Sequence, residues 1–299
     1  MSEVVWSQWD DLIVPEGIVR LSPGNFPLET SDLSQITFYV PTYMSGAQGL
    51  EFTKKMSSLK YLQVPNAGFD DAIEFLRPGM TLCNARGVHD ASTAELAVAL
   101  AIASRRGFHD FAIAQRDGTW DHKRYASFND SKIGIIGAGS ISKKLQSYLT
   151  PYDVEIRTFS RSGTGGSIPI SDIDVHLPDL DIVFLVLPLN EESLNMFDAR
   201  RLALMKDGSV LVNVARGPIV NTEALIAELN SGRISAGLDV TNPEPLPSDH
   251  PLWSAKNCII TPHVGGDSSA FESRGKILVE DQLRLLARGV PLENVVAQR

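Results

Sequence analysis

The sequence is poor in features that mark several classes of protein. It has two cysteines in 299 residues, Cys83 and Cys258, and no C-x-x-C arrangement. Thiols so far apart read as small buried apolar groups rather than a disulfide or a metal site. The six histidines are scattered without paired ligand spacing, so no metal is expected. Positive charge is not in excess: 27 Lys and Arg stand against 36 Asp and Glu, a net charge of −9. A phosphate-backbone binder needs a basic face, which excludes nucleic acid as a partner. Long apolar runs are missing too. The longest in a helical pattern, Leu96 to Ala103, is far short of the roughly 20 residues that a membrane span needs. The opening "MSEVVWSQWDD" is acidic and broken by polar residues, against a secretory signal. Like-charge blocks, low-complexity stretches and internal repeats are also absent. A soluble, cytoplasmic protein with no membrane partner is expected.

What is present points to an α/β protein of two domains, for which 299 residues suffice. From about residue 130, apolar runs alternate with helical stretches. "KIGIIG" (132–137), "VEIRTF" (154–159), "DIVFLVLP" (181–188), "SVLVNVA" (209–215), "SAGLDV" (235–240) and "NCIITP" (257–262) are strand candidates. They are apolar almost throughout, as strands covered on both faces of a parallel sheet must be. Between them, helices are expected over 191–206, ended by Gly208, and 222–230, ended by Gly232. The alternation predicts a doubly wound parallel sheet of the Rossmann type.

The first ninety residues form a separate, smaller unit with strand-like "ITFYV" (36–40) and "LKYLQVP" (59–65). At the junction, Ser92-x-x-Glu95 reads as a capping box before an apolar helix from about 92 to 106, closed by Gly107. That helix is apolar on nearly every side and must be buried. Its place is either between domains or against a second subunit; a subunit interface is favoured, hence a homodimer.

"IGIIGAGSIS" (133–142) is nearly the dinucleotide fingerprint G-x-G-x-x-G, with Gly137, Gly139 and then Ser142 in the third place. The first two glycines keep the tight turn and the close approach to pyrophosphate. Ser142 adds only a small group, so a slightly wider helix–strand spacing is expected, not loss of binding.

Three strand candidates end in polar residues that ordinary turns do not require: Arg216 in "ARGP", Glu244 in "TNPEPLP" and His263 in "PHVGG". Singly, each has a plain alternative: a surface arginine, a solvated turn residue, a histidine bonding nearby backbone. Their coincidence at strand ends, where open α/β sheets bind ligands, favours a shared site.

These motifs, with "LVLPLNEES", "MKDGSVLVNVARGPIVNTEALIAEL" and "GLDVTNPEPLP.DHPLW", resemble the D-isomer-specific 2-hydroxyacid dehydrogenases. The resemblance continues more weakly in "VPNAGFDD" and "ASTAELAVALAIASRR". It implies a flavodoxin-like substrate domain, 1–91 completed by 272–299, and a dinucleotide-binding domain, 92–271. Arg216 matches the family's substrate-binding arginine, whose planar fork suits a carboxylate. His263 matches the acid/base, and Glu244 its partner, whose charge favours the protonated ring. Backbone at Ala67 and Gly68 resembles a second grip on the substrate carboxylate. Gly137, Gly139, Ser140, Ile141, Pro188, Ala215 and Thr93 are the implied cofactor contacts. Asp239 resembles the contact to the nicotinamide carboxamide, with capping of the following turn as its alternative. Substrate is expected between the domains.

An Asp or Glu about 20 residues past the glycines normally binds the ribose of NAD. Here Ser160, Arg161 and Ser162 stand there, with no acid and nothing to repel a 2′-phosphate. NADP(H) is therefore expected to be preferred, with NAD(H) possible. The expected reaction is reduction of a small 2-oxoacid, glyoxylate or hydroxypyruvate, to a D-2-hydroxyacid. The "PTYMSGAQG" loop (41–49), with Tyr43 and Met44, and Phe69 are expected to set substrate choice, and the loop equally suits a larger 2-oxoacid. A dinucleotide-sensing scaffold of the C-terminal-binding corepressor type is the competing reading. The compact length, with no disordered tail, favours the enzyme. A formate or phosphite oxidase has no support in the residues.

Overall fold

The computed structural model describes residues 3–299. Its internal contacts divide the chain into two compact units, residues up to His89 with Ser269–Arg299, and Asp90–Ser268. The divisions fall at 89/90 and 268/269 rather than at the expected 91/92 and 271/272. The first unit opens with strands β1 (Glu3–Trp6), β2 (Ile18–Leu21) and β3 (Phe38–Tyr39), helix α1 (Gly46–Glu51), and strands β4 (Tyr61–Gln63) and β5 (Thr81–Cys83). The second contains α2 (Asp90–Arg105), α3 (Phe108–Arg116), β6 (Lys132–Ile136), α4 (Ser140–Leu149), β7 (Glu155–Ser160) and β8 (Ile168–Pro169). It continues with α5 (Ile173–His176), β9 (Ile182–Leu185), α6 (Ala199–Leu204), β10 (Val210–Asn213), α7 (Thr222–Ser231), β11 (Ser235–Leu238) and β12 (Cys258–Ile260). Helix α8 (Ala270–Ala287) and strand β13 (Val295–Gln298) return the chain to the first unit.

The second unit is a seven-stranded, all-parallel sheet in the order β12-β11-β10-β9-β6-β7-β8. The direction of winding reverses between β6 and β9, the switch point at which such sheets bind dinucleotides. The central strands are apolar at nearly every position because both faces are covered, whereas the outer β7 carries Glu155 and Arg157. Ile182 and Phe184 of β9 join Ile133, Ile135, Val210 and Val212 beneath α2 and α4. Val183 and Leu185, alternating with them, join Leu211 and Leu238 beneath α6 and α7. Asn221 caps α7 by accepting from the Ala224 N–H at 2.9 Å, and Gly232 ends it at φ 77°. The stop is the one that the sequence signals, and the Asn221 cap supplies the start.

Two expectations are corrected in this unit, and a third finding concerns α2. The helix forecast over 191–206 is only Ala199–Leu204, capped by Asp198; its first half folds as tight turns. Asn190 causes this: its Oδ1 accepts from the N–H groups of Glu192 and Ser193, both at 3.0 Å. Such a side-chain turn offers the backbone an alternative to helix. Ser92 is not an N-cap, because α2 begins two residues earlier at Asp90; Ser92 Oγ instead meets Ser268 Oγ at 2.7 Å. The apolar face of α2, with Ala94, Ala97, Leu100 and Ala101, packs within the chain against the core around Val210 and Val212. A second subunit is not needed to bury it.

The first unit is a six-stranded sheet in the order β13-β5-β4-β3-β1-β2. All pairs are parallel except β13 with β5, so its parallel part has the 2-1-3-4-5 order of flavodoxin-like sheets. Helix α8 covers one face with Phe271, Val279 and Leu283, and Leu50 of α1 covers the other. Within the loop expected to set substrate choice, Tyr43 is stacked on Phe271, with centroids 3.8 Å apart, and on His89 at 5.5 Å. It is a packing residue, and Phe69 likewise leans on the core. Met44, about half exposed, does line a cavity of this unit, together with Asn66, Gly68 and Asp71.

Among the described residues, no helix is long and apolar enough to cross a membrane. No group of three or more His, Cys, Asp or Glu among them is arranged to hold a metal ion.

Candidate active site

The ends of β10, β11 and β12 deliver Arg216, Glu244 and His263 to one region of the second unit. Arg216 follows β10 and caps a short turn, Gly217–Ile219. Its carbonyl accepts from Asn213 Nδ2 at 2.9 Å, and its Nη1 donates to the Ala215 carbonyl at 2.8 Å. Glu244 lies in the loop after β11, between the prolines of two cis X–Pro bonds. His263 follows β12 in the left-handed region, φ 55°, with its Nδ1 hydrogen-bonded to Glu244 Oε1.

The electrostatics of the three are linked. The Glu244 hydrogen bond holds the His263 pKa above its usual 6.5, against desolvation, with the carboxylate charge adding to the rise and Arg216 subtracting. Burial pushes the Glu244 carboxyl up, but the hydrogen bond and charge of His263, helped by Arg216, outweigh it and hold the pKa below 4.5. Between the lowered pKa of Glu244 and the raised one of His263 this is a carboxylate–imidazolium pair beside a guanidinium, a set that can bind an acid and donate one proton.

Asp239 is buried, and both of its carboxylate oxygens bond to the turn that carries His263. Oδ1 accepts from Thr261 Oγ1 at 2.6 Å and the Val264 N–H at 2.9 Å, and Oδ2 from the Gly265 N–H at 2.8 Å. These bonds go to the turn after β12, not to the turn that directly follows Asp239. Thr93, buried in the first turn of α2, lies under the same turn, near Gly265. Ala67 and Gly68 belong to the first unit, in the loop after β4, where the Ala67 carbonyl accepts from Asn84 Nδ2 at 2.6 Å.

The glycine loop leads from β6 into α4 at the switch point. Gly137 has φ 121°, and a Cβ there would stand 2.4 Å from the Val186 carbonyl oxygen, so only glycine fits. Around Gly139 the Cβ direction is open, and as N-cap of α4 it brings no side chain onto the helix N–H groups. An uncapped N-terminus behind an open approach fits a pyrophosphate. Ser140 and Ile141 open this helix, with Ser140 Oγ donating to Asp90 Oδ1 at 3.1 Å. Ser142 is fully buried and accepts from Gln146 Nε2 at 3.3 Å. Beside the loop is a cavity of about 320 Å³, lined by Gly137, Ala138, Ser160, Arg161 and Pro188. The residues present fit a dinucleotide.

One premise of the expected cofactor preference is overturned. An acid does stand beside Arg161: Glu192 lines the same cavity and pairs with it, Nε to Oε2 at 2.7 Å. It arrives from the loop after β9, in the stretch expected to be helical. Ser160 Oγ meets Ser167 Oγ at 2.6 Å and accepts from the Gly163 N–H, while Ser162 meets Thr164 Oγ1 at 2.9 Å. Sequence reasoning also passed over Gly217, where a Cβ would meet the Thr241 carbonyl oxygen. A glycine directly after Arg216 was the available signal. Glu192 had none, because its partner depends on strand order.

Residues 98–265 match the family model described as D-isomer specific 2-hydroxyacid dehydrogenase, NAD binding domain. The chain belongs to this family. As a member it is an NAD(P)-dependent oxidoreductase acting on the CH–OH group of 2-hydroxyacids. It is 32% identical to a glyoxylate reductase of Thermofilum pendens over 74% of this chain and 69% of the relative. It is 29% identical to the human glyoxylate reductase/hydroxypyruvate reductase over 79% and 76%. Among solved structures, the TT0316 protein of Thermus thermophilus superposes with a TM-score of 0.80 at 26% identity, covering 99% of this chain and 100% of that one. The NADPH-dependent glyoxylate/hydroxypyruvate reductase of Sinorhizobium meliloti, in complex with NADP and sulfate, shares the fold with a TM-score of 0.82. It is 22% identical, with 99% and 98% covered.

Proposed function

We propose that this dehydrogenase reduces a small 2-oxoacid of the glyoxylate or hydroxypyruvate kind to the D-2-hydroxyacid, with NADP(H) preferred over NAD(H). The observation that carries the reading is the His263–Glu244 pair under the charge of Arg216, at the carboxyl edge of the sheet. The Arg216 fork binds the substrate carboxylate and draws on the carbonyl oxygen beside it. A nicotinamide cofactor, when bound, supplies hydride for the carbonyl carbon. His263 donates a proton to the carbonyl oxygen, and Glu244 on Nδ1 leaves Nε2 as the donating atom. Glu244 keeps the ring charged and oriented until that transfer.

Backbone at Ala67 and Gly68 makes the first unit the substrate unit. Thr93, Pro188, Ala215 and Asp239 flank the nicotinamide end, and Gly137, Gly139, Ser140 and Ile141 hold the pyrophosphate. Ser160, Arg161 and Ser162 face the adenosine ribose; the guanidinium supports the NADP(H) preference. The glyoxylate and hydroxypyruvate reductases among the relatives support the substrate class.

Loss of NADPH absorbance at 340 nm across a panel of 2-oxoacids tests the reading. Turnover is expected with glyoxylate and hydroxypyruvate; no turnover with any member of the panel overturns it. A kcat/KM for NADH above that for NADPH overturns the cofactor preference alone.

A homodimer in the cytoplasm completes the reading. Trp120 is 95% exposed, and Phe108 and Phe111 of α3 are also open to solvent, an apolar surface suited to a second copy. Both cysteines are free and buried, with thiols pushed up to about 12 by burial, as suits a reducing compartment. A monomer by light scattering would overturn the dimer.

A further inference from the structure

We propose that Glu192 sets the cofactor preference of this site, because its carboxylate competes with a 2′-phosphate for the Arg161 guanidinium. The proposal rests on the reading of Ser160–Ser162 as the turn that faces the adenosine ribose. Arg161 leaves the end of β7 and Glu192 the loop after β9, and the two meet over one cavity at 2.7 Å. They are the single cation and the single anion among the described residues that line it. A 2′-phosphate entering there gains one guanidinium but meets one carboxylate. A 2′-hydroxyl meets that carboxylate as a hydrogen-bond acceptor, the part an acid plays in NAD sites. Arg161 thus tilts the site toward NADP(H) and Glu192 tilts it toward NAD(H).

Two observations separate this pair from an incidental surface contact. The Glu192 backbone is fixed: its N–H donates to Asn190 Oδ1 at 3.0 Å, and the adjacent Ser193 Oγ donates to the Pro188 carbonyl at 2.8 Å. The side chains nonetheless stay 70% and 65% exposed. Such a pair is screened by water and exchanges readily, so the arginine can leave the carboxylate for a phosphate. Ser160 and Ser162 are already bonded within their own turn, which leaves Arg161 as the group that senses the 2′ substituent.

Titration calorimetry of NADPH and NADH against the wild type, Glu192→Gln, Arg161→Gln and the double variant tests this, with circular dichroism checking the fold of each. Glu192→Gln keeps the size and removes the charge, and is expected to shift the ratio of the two Kd values toward NADPH about threefold to tenfold. In the Arg161→Gln background that shift should shrink, since the competition has gone. An equal effect of Glu192→Gln on both cofactors overturns the proposal. So does a selective weakening of NADPH, which would make Glu192 a support for Arg161. Wild-type preference for NADH, with a Glu192→Gln shift toward NADPH, removes the NADP(H) preference and leaves the role of Glu192 standing. An Arg161→Gln ratio equal to wild type removes the reading of the turn, and the proposal with it.

Discussion

Gly217 lies so close to Thr241 that a Cβ placed on it would stand 1.8 Å from the Thr241 carbonyl oxygen. Gly217 directly follows Arg216, and Thr241 opens the loop that carries Glu244. This backbone contact therefore ties the arginine turn to the carboxylate loop, and Thr222 Oγ1 reinforces it by donating to the Asn242 carbonyl at 3.0 Å. Gly217→Ala forces the two apart. It is expected to cost about 1–3 kcal/mol in urea unfolding and to lower kcat/KM as well. Wild-type values for both would show that the site does not depend on this approach.

Histidine 263 sits in the left-handed region, where asparagine is tolerated better than most residues. His263→Asn thus removes the proton donor with little disturbance of the turn. The expected loss in kcat is about 10²- to 10⁴-fold, with the Kd for NADPH close to wild type. Near-normal turnover would place the acid/base elsewhere.

The raised pKa of His263 gives reduction a definite pH dependence. The ring stays charged above its usual 6.5 and loses its proton only as pH climbs through the raised value. Reduction needs the imidazolium, so its kcat/KM holds below the raised pKa and falls as pH climbs through it; oxidation of the hydroxyacid rises over the same window. The ion pair is intact between the lowered pKa of Glu244 and the raised one of His263. Glu244→Gln removes the charge that holds the ring protonated. In a pH–rate profile its falling limb should move to lower pH, and an unmoved limb would assign that limb to another group.

Asp239 pins the loop of His263 through three accepted hydrogen bonds. Asp239→Asn replaces one acceptor oxygen with an amide donor that faces donors already there. Hydrogen bonds to charged groups contribute about 1.5–3 kcal/mol, so a loss of stability of that order is expected, together with a fall in kcat. A drop in NADPH affinity without loss of stability would instead mark the carboxylate as a cofactor contact.

The strands of the second unit were legible because a sheet covered on both faces demands apolar side chains at successive positions, as at Ile182, Val183, Phe184 and Leu185. Helix α7 was legible from Gly232 at its end. The stretch 191–206 misled because its composition suits a helix, while Asn190 turns the backbone with its side chain. Strand β13 of the first unit, VVAQ, is exposed or half-buried throughout, so burial demands no apolar run there and the strand does not stand out from a loop.

By itself the sequence determined the doubly wound fold, the dinucleotide loop and the three polar residues at strand ends, because each is written in local patterns of residue type. The family resemblance implied that Glu244 partners His263, but only the tertiary structure decided the other contacts. That Asp239 braces the turn of His263 and that Glu192 holds Arg161 both follow from the order of strands in the sheet. Strand order joins residues far apart in the chain, and an ion pair such as Arg161–Glu192 leaves no periodicity or spacing by which to find it.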